Sequence, residues 1–215
     1  MPAVHTLTAD TPAVRYLCAK DKHLAKVIQM VGSISYTLAP SPYAFMVREI
    51  INQMLSNKVA AVFSRRLAAL VAGPVTPGAI HQLTDAQLLS IGISRAKVRY
   101  IRALTDAVVN HTIDFDQYPD MSDTEVLHDL TSVRGIGNWS AKMYLIFVLD
   151  RPDVLPFEDV AFLQGYSWVY KTNDWHRQAV MKKCRKWHPY RAIAARYMYR
   201  AVDMELTKKP FHLFK

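Results

Sequence analysis

Leu130-Thr131-Ser132-Val133-Arg134-Gly135-Ile136-Gly137-Asn138-Trp139-Ser140-Ala141 is the stretch on which the fold turns. Upstream, Ser122-Asp123-Thr124-Glu125 has the spacing of a capping box, in which a hydroxyl and a carboxylate satisfy the free amides at a helix start. Val126, Leu127 and Leu130 follow as its apolar face. Downstream, Ser140, Met143, Tyr144, Phe147 and Val148 recur at helical spacing. Two helices therefore meet across Val133 to Gly137. Glycine admits turns and close approaches that a Cβ forbids, and the start of a helix carries partial positive charge. A Gly-x-Gly turn that opens a helix is suited to an anion such as a phosphate. It is equally suited to a tight interhelical turn that binds nothing.

The same periodicity extends along the chain. Val47, Ile50, Ile51, Met54 and Leu55 fall on one helix face, and Tyr190, Ile193, Ala194, Tyr197, Met198, Ala201 and Val202 repeat the pattern with Pro189 at a position that a first helical turn tolerates. Breaks fall at Ala39–Pro42, Gly73–Gly78, Tyr118-Pro119 and Arg151–Pro156. No alternating run predicts a strand, so the expected class is all-α.

Composition bounds the function. Of 215 residues, 51% are hydrophobic and 21% charged, as in an ordinary globular chain. The net charge of +9 and pI near 9.6 favour polyanionic partners. Basic residues gather at Arg95, Lys97, Arg99 and Arg102, and again at Lys182, Lys183, Arg185, Lys186 and Arg191; solvated helix faces would account for either group. Two distant cysteines, Cys18 and Cys184, supply neither a disulfide framework nor a four-thiolate cluster, which fits a reducing compartment. No secretory signal is visible, and the longest apolar run, Met143–Leu149, falls short of a membrane span. The eight histidines show no metal-ligand spacing.

Past the hairpin, an apolar helix and a proline-punctuated loop lead from Leu145 to Glu158 and Asp159, and Asp159 lies twenty residues beyond Trp139. With this succession the chain resembles the helix-hairpin-helix (HhH-GPD) DNA glycosylase superfamily, and within it the branch of the 3-methyladenine DNA glycosylase II enzymes. Ser41–Ser56, Ile91–Leu104 and Arg185–Ala194 carry the likeness through most of the chain.

The resemblance implies a two-lobed helical fold. A central lobe over 41–157 would hold the helix-hairpin-helix at about 123–149, and 1–40 with 158–215 would form the second lobe of one functional unit, with no N-terminal α/β domain. It implies that Asp159 is the catalytic carboxylate, although the residues alone do not separate it from Glu158. It places Trp139, Tyr199 and Met143 at the base pocket, Met143 standing where well-known members carry tyrosine. Met54 falls at the position of the DNA wedge, with Gln53 and Leu55 near enough to share the task. Val133, Arg134, Gly135, Ile136 and Gly137 would bind a DNA phosphate, and their carbonyls are candidate ligands for a Na⁺ or K⁺ ion. No iron–sulfur cluster and no other cofactor is expected. Strand-cutting members place a nucleophilic lysine where Trp139 stands, and a tryptophan cannot form the Schiff base.

The implied chemistry is consistent with a single carboxylate. An N3- or N7-alkylated purine is already cationic and leaves as a neutral base, so it needs no general acid. The reading is thus a monofunctional glycosylase for alkylated purines in double-stranded DNA, monomeric, and placed at the nucleoid of a bacterium or in a eukaryotic nucleus. A glycosylase for a mismatched or oxidised base, and a lesion-binding protein without turnover, are the alternatives.

Overall fold

The computed structural model describes residues 3–55 and 57–213; Ser56, which ends the wedge-bearing stretch, lies outside them. The chain divides into two compact units, Ala39–Leu149 and Met1–Leu38 with Asp150–Lys215. Among the described residues the structure is mostly helical, and no helix is long and apolar enough to cross a membrane.

The central unit holds α3 (Pro42–Asn52), α4 (Asn57–Val71), α5 (Pro77–Gln82), α6 (Asp85–Ser90), α7 (Arg95–Val109), α8 (Asp123–Ser132) and α9 (Asn138–Phe147). Side-chain hydroxyls open most of them. Ser41, Thr76, Thr84, Ser94 and Ser122 each accept a hydrogen bond from a first-turn amide, and those of Thr84 and Ser122 are full capping boxes. Each such cap stabilises its helix by about 1 kcal/mol. α9 differs, because its N-cap is Gly137, which has no side chain to offer. The core is built from Met46, Ile50, Leu88, Ile101, Leu130 and Tyr144, all fully buried.

The other unit joins both ends of the chain. It contains α1 (Pro12–Lys20), α2 (Lys22–Val31), α10 (Val160–Tyr170), α11 (Arg177–Cys184) and α12 (Arg191–Asp203). α12 packs on α10 and α2 and contributes Ala194, Tyr197, Met198 and Ala201 to the core, opposite Leu17, Leu24, Phe162 and Trp187. At its centre Asp21 caps α2 through the amides of His23 and Leu24 and also accepts hydrogen bonds from Tyr170 Oη, Trp187 Nε1 (2.9 Å) and Lys186 Nζ (3.0 Å). Cys18 and Cys184 are free thiols.

The all-α class holds, with three adjustments. First, it carries one small sheet: β1 (Val4–Leu7) and β2 (Ile34–Thr37) pair antiparallel, with His5 opposite Tyr36 and Leu7 opposite Ile34. Each has four residues and buries one, so no alternation shows in the sequence. Second, the apolar stripe from Val47 to Leu55 is not one helix face, since α3 stops at Asn52. Third, residues 150–157 group with the terminal unit and not with the central one. Arg196 Nη2 meets Asp150 at 2.9 Å, Arg191 grips Asp153, and Ala192 N donates to Pro152 O, so this segment is tied to α12.

Candidate functional site

The hairpin between α8 and α9 is a tight turn closed by Ile136 N donating to Val133 O at 3.0 Å. Val133 and Ile136 are buried and anchor it, and Arg134 is exposed. Its two glycines serve different ends. Gly135 has φ +93, and a Cβ there would lie 2.1 Å from the ring of Tyr100 on α7, so only glycine fits. Gly137 has an ordinary φ of −102, and a Cβ there would meet nothing within 4 Å. Neither backbone nor packing demands glycine at 137. What its missing side chain leaves is a helix N-terminus with no side-chain cap, open to an anion. Val133 O and Gly135 O each accept one hydrogen bond here and retain a second lone pair, so the turn fits a monovalent cation as far as its donor set goes.

Beyond α3 the chain turns sharply over Asn52–Leu55, closed by Leu55 N donating to Asn52 O at 3.0 Å. Gln53 has φ −47 and ψ 126, and Met54 follows with φ +58. This is the geometry of a type II turn, whose third position favours glycine or asparagine. A methionine stands there, with 101% relative exposure. The two wedge candidates therefore part company. Met54 projects from the turn, whereas Gln53 folds inward, its Nε2 donating to Gly135 O at 2.8 Å and to Ser140 Oγ at 3.3 Å. Leu55 is half-buried.

Asp159 is the N-cap of α10, and its Oδ1 accepts from Phe162 N at 2.8 Å. The bond fixes the orientation of the carboxylate, and Asp159 N donates in turn to Pro156 O at 3.0 Å. Glu158 precedes the cap. The loop before it is braced at Asp153, whose Oδ1 and Oδ2 receive Arg191 Nε and Nη2 at 2.7 and 2.8 Å, while His188 Nδ1 lies 2.5 Å from Oδ2. Burial alone would raise the Asp153 carboxyl, but these hydrogen bonds and the guanidinium charge bring it below the usual carboxylate value.

The other candidates lie on α9 and α12. Trp139 and Met143 lie one turn apart on α9, Trp139 half-buried in its first turn and Met143 buried at 4% exposure. Tyr199 is half-buried on α12, packed against the core to which α10 also contributes. Lys142, the lysine nearest Trp139 in sequence, is 9% exposed within α9. Tyr100 under the hairpin was not singled out by the sequence, and Lys97 beside the Met54 turn figured there only as one of a group of basic residues. Their spacing from the glycines and from α3 carries no local signal.

Residues 47–189 match the family model of the HhH-GPD superfamily of base excision DNA repair proteins. DNA-3-methyladenine glycosylase 1 of Schizosaccharomyces pombe is 26% identical over 211 residues, which span 95% of this chain and 92% of that protein. The crystal structure of a DNA-3-methyladenine glycosidase from Bacillus halodurans agrees at a TM-score of 0.85 and 29% identity, covering 97% of each chain. A Schizosaccharomyces pombe 3-methyladenine DNA glycosylase in complex with abasic DNA agrees in fold at a TM-score of 0.80 and 24% identity, over 90% of this chain and 97% of that one.

Proposed function

This chain belongs to the HhH-GPD superfamily of base excision DNA repair proteins, and from that premise we propose that it is a monofunctional DNA glycosylase releasing alkylated, cationic purines such as 3-methyladenine and 7-methylguanine from double-stranded DNA. The observation that carries the reading is Asp159, a carboxylate held by the Phe162 amide at the end of a braced loop, at the position that the family resemblance gives to the catalytic aspartate. Relatives named for 3-methyladenine that align along nearly the whole chain support the substrate class.

The steps follow from the residues. The hairpin amides and the exposed Arg134 hold a backbone phosphate. A damaged base leaves the stack, which costs a few kcal/mol, and Met54 fills the gap. Trp139 and Tyr199 offer aromatic faces to the extruded cation, each contact worth about 0.5–2 kcal/mol. Asp159 stabilises the developing positive charge on the sugar and orients a water. The bond from C1′ to the purine nitrogen breaks with its electrons going to the base, which departs neutral; water oxygen bonds to C1′ and loses a proton, leaving an abasic site. A Na⁺ or K⁺ ion on the hairpin carbonyls would support the phosphate contact and takes no part in bond breaking. With Trp139 where strand-cutting members carry lysine, no covalent adduct forms. The protein acts as a monomer.

Base release from methylated DNA, resolved by chromatography, tests the proposal. Asp159→Asn is expected to lower release of both methylated purines by at least about 100-fold, in the range of a general catalytic group, with DNA affinity retained. Near-normal turnover by that variant, or borohydride trapping of a protein–DNA adduct with the unaltered enzyme, would overturn it.

A further inference from the structure

A non-glycine residue in the left-handed region persists only where its surroundings hold it there. At the Asn52–Leu55 turn two side chains do so. Lys97, on the first turn of α7, extends its ammonium to Ile51 O at 2.7 Å and Gln53 O at 2.8 Å. One of these carbonyls belongs to the last turn of α3, which lacks intrahelical donors, and the other to the turn itself. A cation at that end of a helix also faces the negative pole of its dipole. Burial pushes the Lys97 ammonium below the usual lysine value, so these carbonyls stand in for water. From the other side, Gln53 Nε2 ties the same turn to Gly135 O of the hairpin at 2.8 Å.

We propose that Lys97 is a positioning residue of the excision reaction: its ammonium fixes the turn that projects Met54, and Gln53 couples that turn to the phosphate-binding hairpin. This rests on the reading of Met54 as the wedge. The rival use of Lys97 is direct binding of a DNA phosphate, as its exposed neighbours Arg95 and Arg99 on the same helix could do. The two uses differ in salt dependence, because a phosphate contact releases a counterion and an internal hydrogen bond does not.

The test uses the full chain with Lys97→Met, Lys97→Arg, Met54→Ala and the double variant Met54→Ala/Lys97→Met. Single-turnover release of 7-methylguanine is measured for each, with affinity for tetrahydrofuran-containing duplex at several salt concentrations and a melting curve. Lys97→Met is expected to slow release roughly tenfold, the lower end for hydrogen bonds made by a charged group, with its salt slope unchanged. Lys97→Arg should recover most of the rate, and Lys97→Met should add nothing in the Met54→Ala background. A slope lowered by about one would mark a phosphate contact and overturn the proposal. So would an equal loss with and without Met54. A Met54→Ala variant with the unaltered rate would instead remove the wedge reading itself. Should Lys97→Met unfold at the assay temperature, Lys97→Gln gives the same comparison with a shorter, uncharged donor.

Discussion

Methionine at position 54 has a backbone that chains ordinarily give to glycine or asparagine, and its whole side chain is in solvent. Nothing in the fold is gained by that choice. The left-handed conformation costs a methionine about 1–2 kcal/mol, against about 0.5–1 kcal/mol of extra chain entropy that a glycine would lose on folding. Met54→Gly is therefore expected to leave the melting temperature unchanged or raise it by up to about 3 °C, while excision falls about tenfold, or 1.4 kcal/mol of barrier. A melting curve beside single-turnover kinetics checks both halves, and a marked fall in melting temperature would contradict the strain. Periodicity alone hides this residue in an apolar stripe, and only the family resemblance marks it as a wedge position. Spacing at 3.6 residues marks which positions share a helix face but not where the helix stops; here α3 ends at Asn52, and the carbonyls at 51 and 53 accept from a lysine on another helix.

At the scale of the element, the hairpin shows how two identical letters carry different requirements. Gly135 lies against Tyr100 at positive φ, while Gly137 faces open space at the start of α9. Gly135→Ala should cost about 2 kcal/mol or more from strain and overlap and weaken DNA binding only as a by-product. Gly137→Val should cost no more than about 1 kcal/mol, the scale of an N-cap change, yet lower DNA affinity and the salt slope by about one counterion. Denaturant midpoints and salt titrations of the two variants separate these roles; an unchanged slope for Gly137→Val would take the hairpin off the list of phosphate contacts. The capping box at Ser122 and the helix after Gly137 were legible beforehand because their signals are local. The ring of Tyr100 was not, because it reaches Gly135 only through the fold.

Across the molecule, the family and the helical class could be read from motifs and spacing, whereas the limits of the two units could not. The loop at 150–157 reads as a linker by its prolines, and the ion pairs that assign it to the terminal unit join residues about forty positions apart. Those pairs also set how that unit responds to acid. Burial would raise Asp21, but bonds from Tyr170, Trp187 and Lys186 bring it below the usual value, as Arg191 and His188 do for Asp153. A lowered folded-state value contributes stability that is present above the unfolded value, near 3.9, and is lost as the pH falls through the folded one. Urea midpoints followed from about pH 7 down to pH 3 should therefore drop for the unaltered protein below about pH 4. Asp153→Asn should be less stable at neutral pH and converge with it in acid. Parallel curves for the two proteins would show that the Asp153 pair contributes nothing to this dependence.

The unit that carries Asp159 is made from the first and last portions of the chain, with the other unit inserted between them. On the ribosome this imposes an order of events. Residues 39–149 can finish folding while α1 and α2 wait with Leu17, Leu24 and Val27 uncovered, because their partners on α10 and α12 have yet to be synthesised. At about 5–20 residues per second the wait is on the order of ten seconds. Through that interval the nascent protein can hold the Val133–Gly137 hairpin but not the cap that Asp159 gives to α10, and its exposed N-terminal helices are the segment that a chaperone would need to shield.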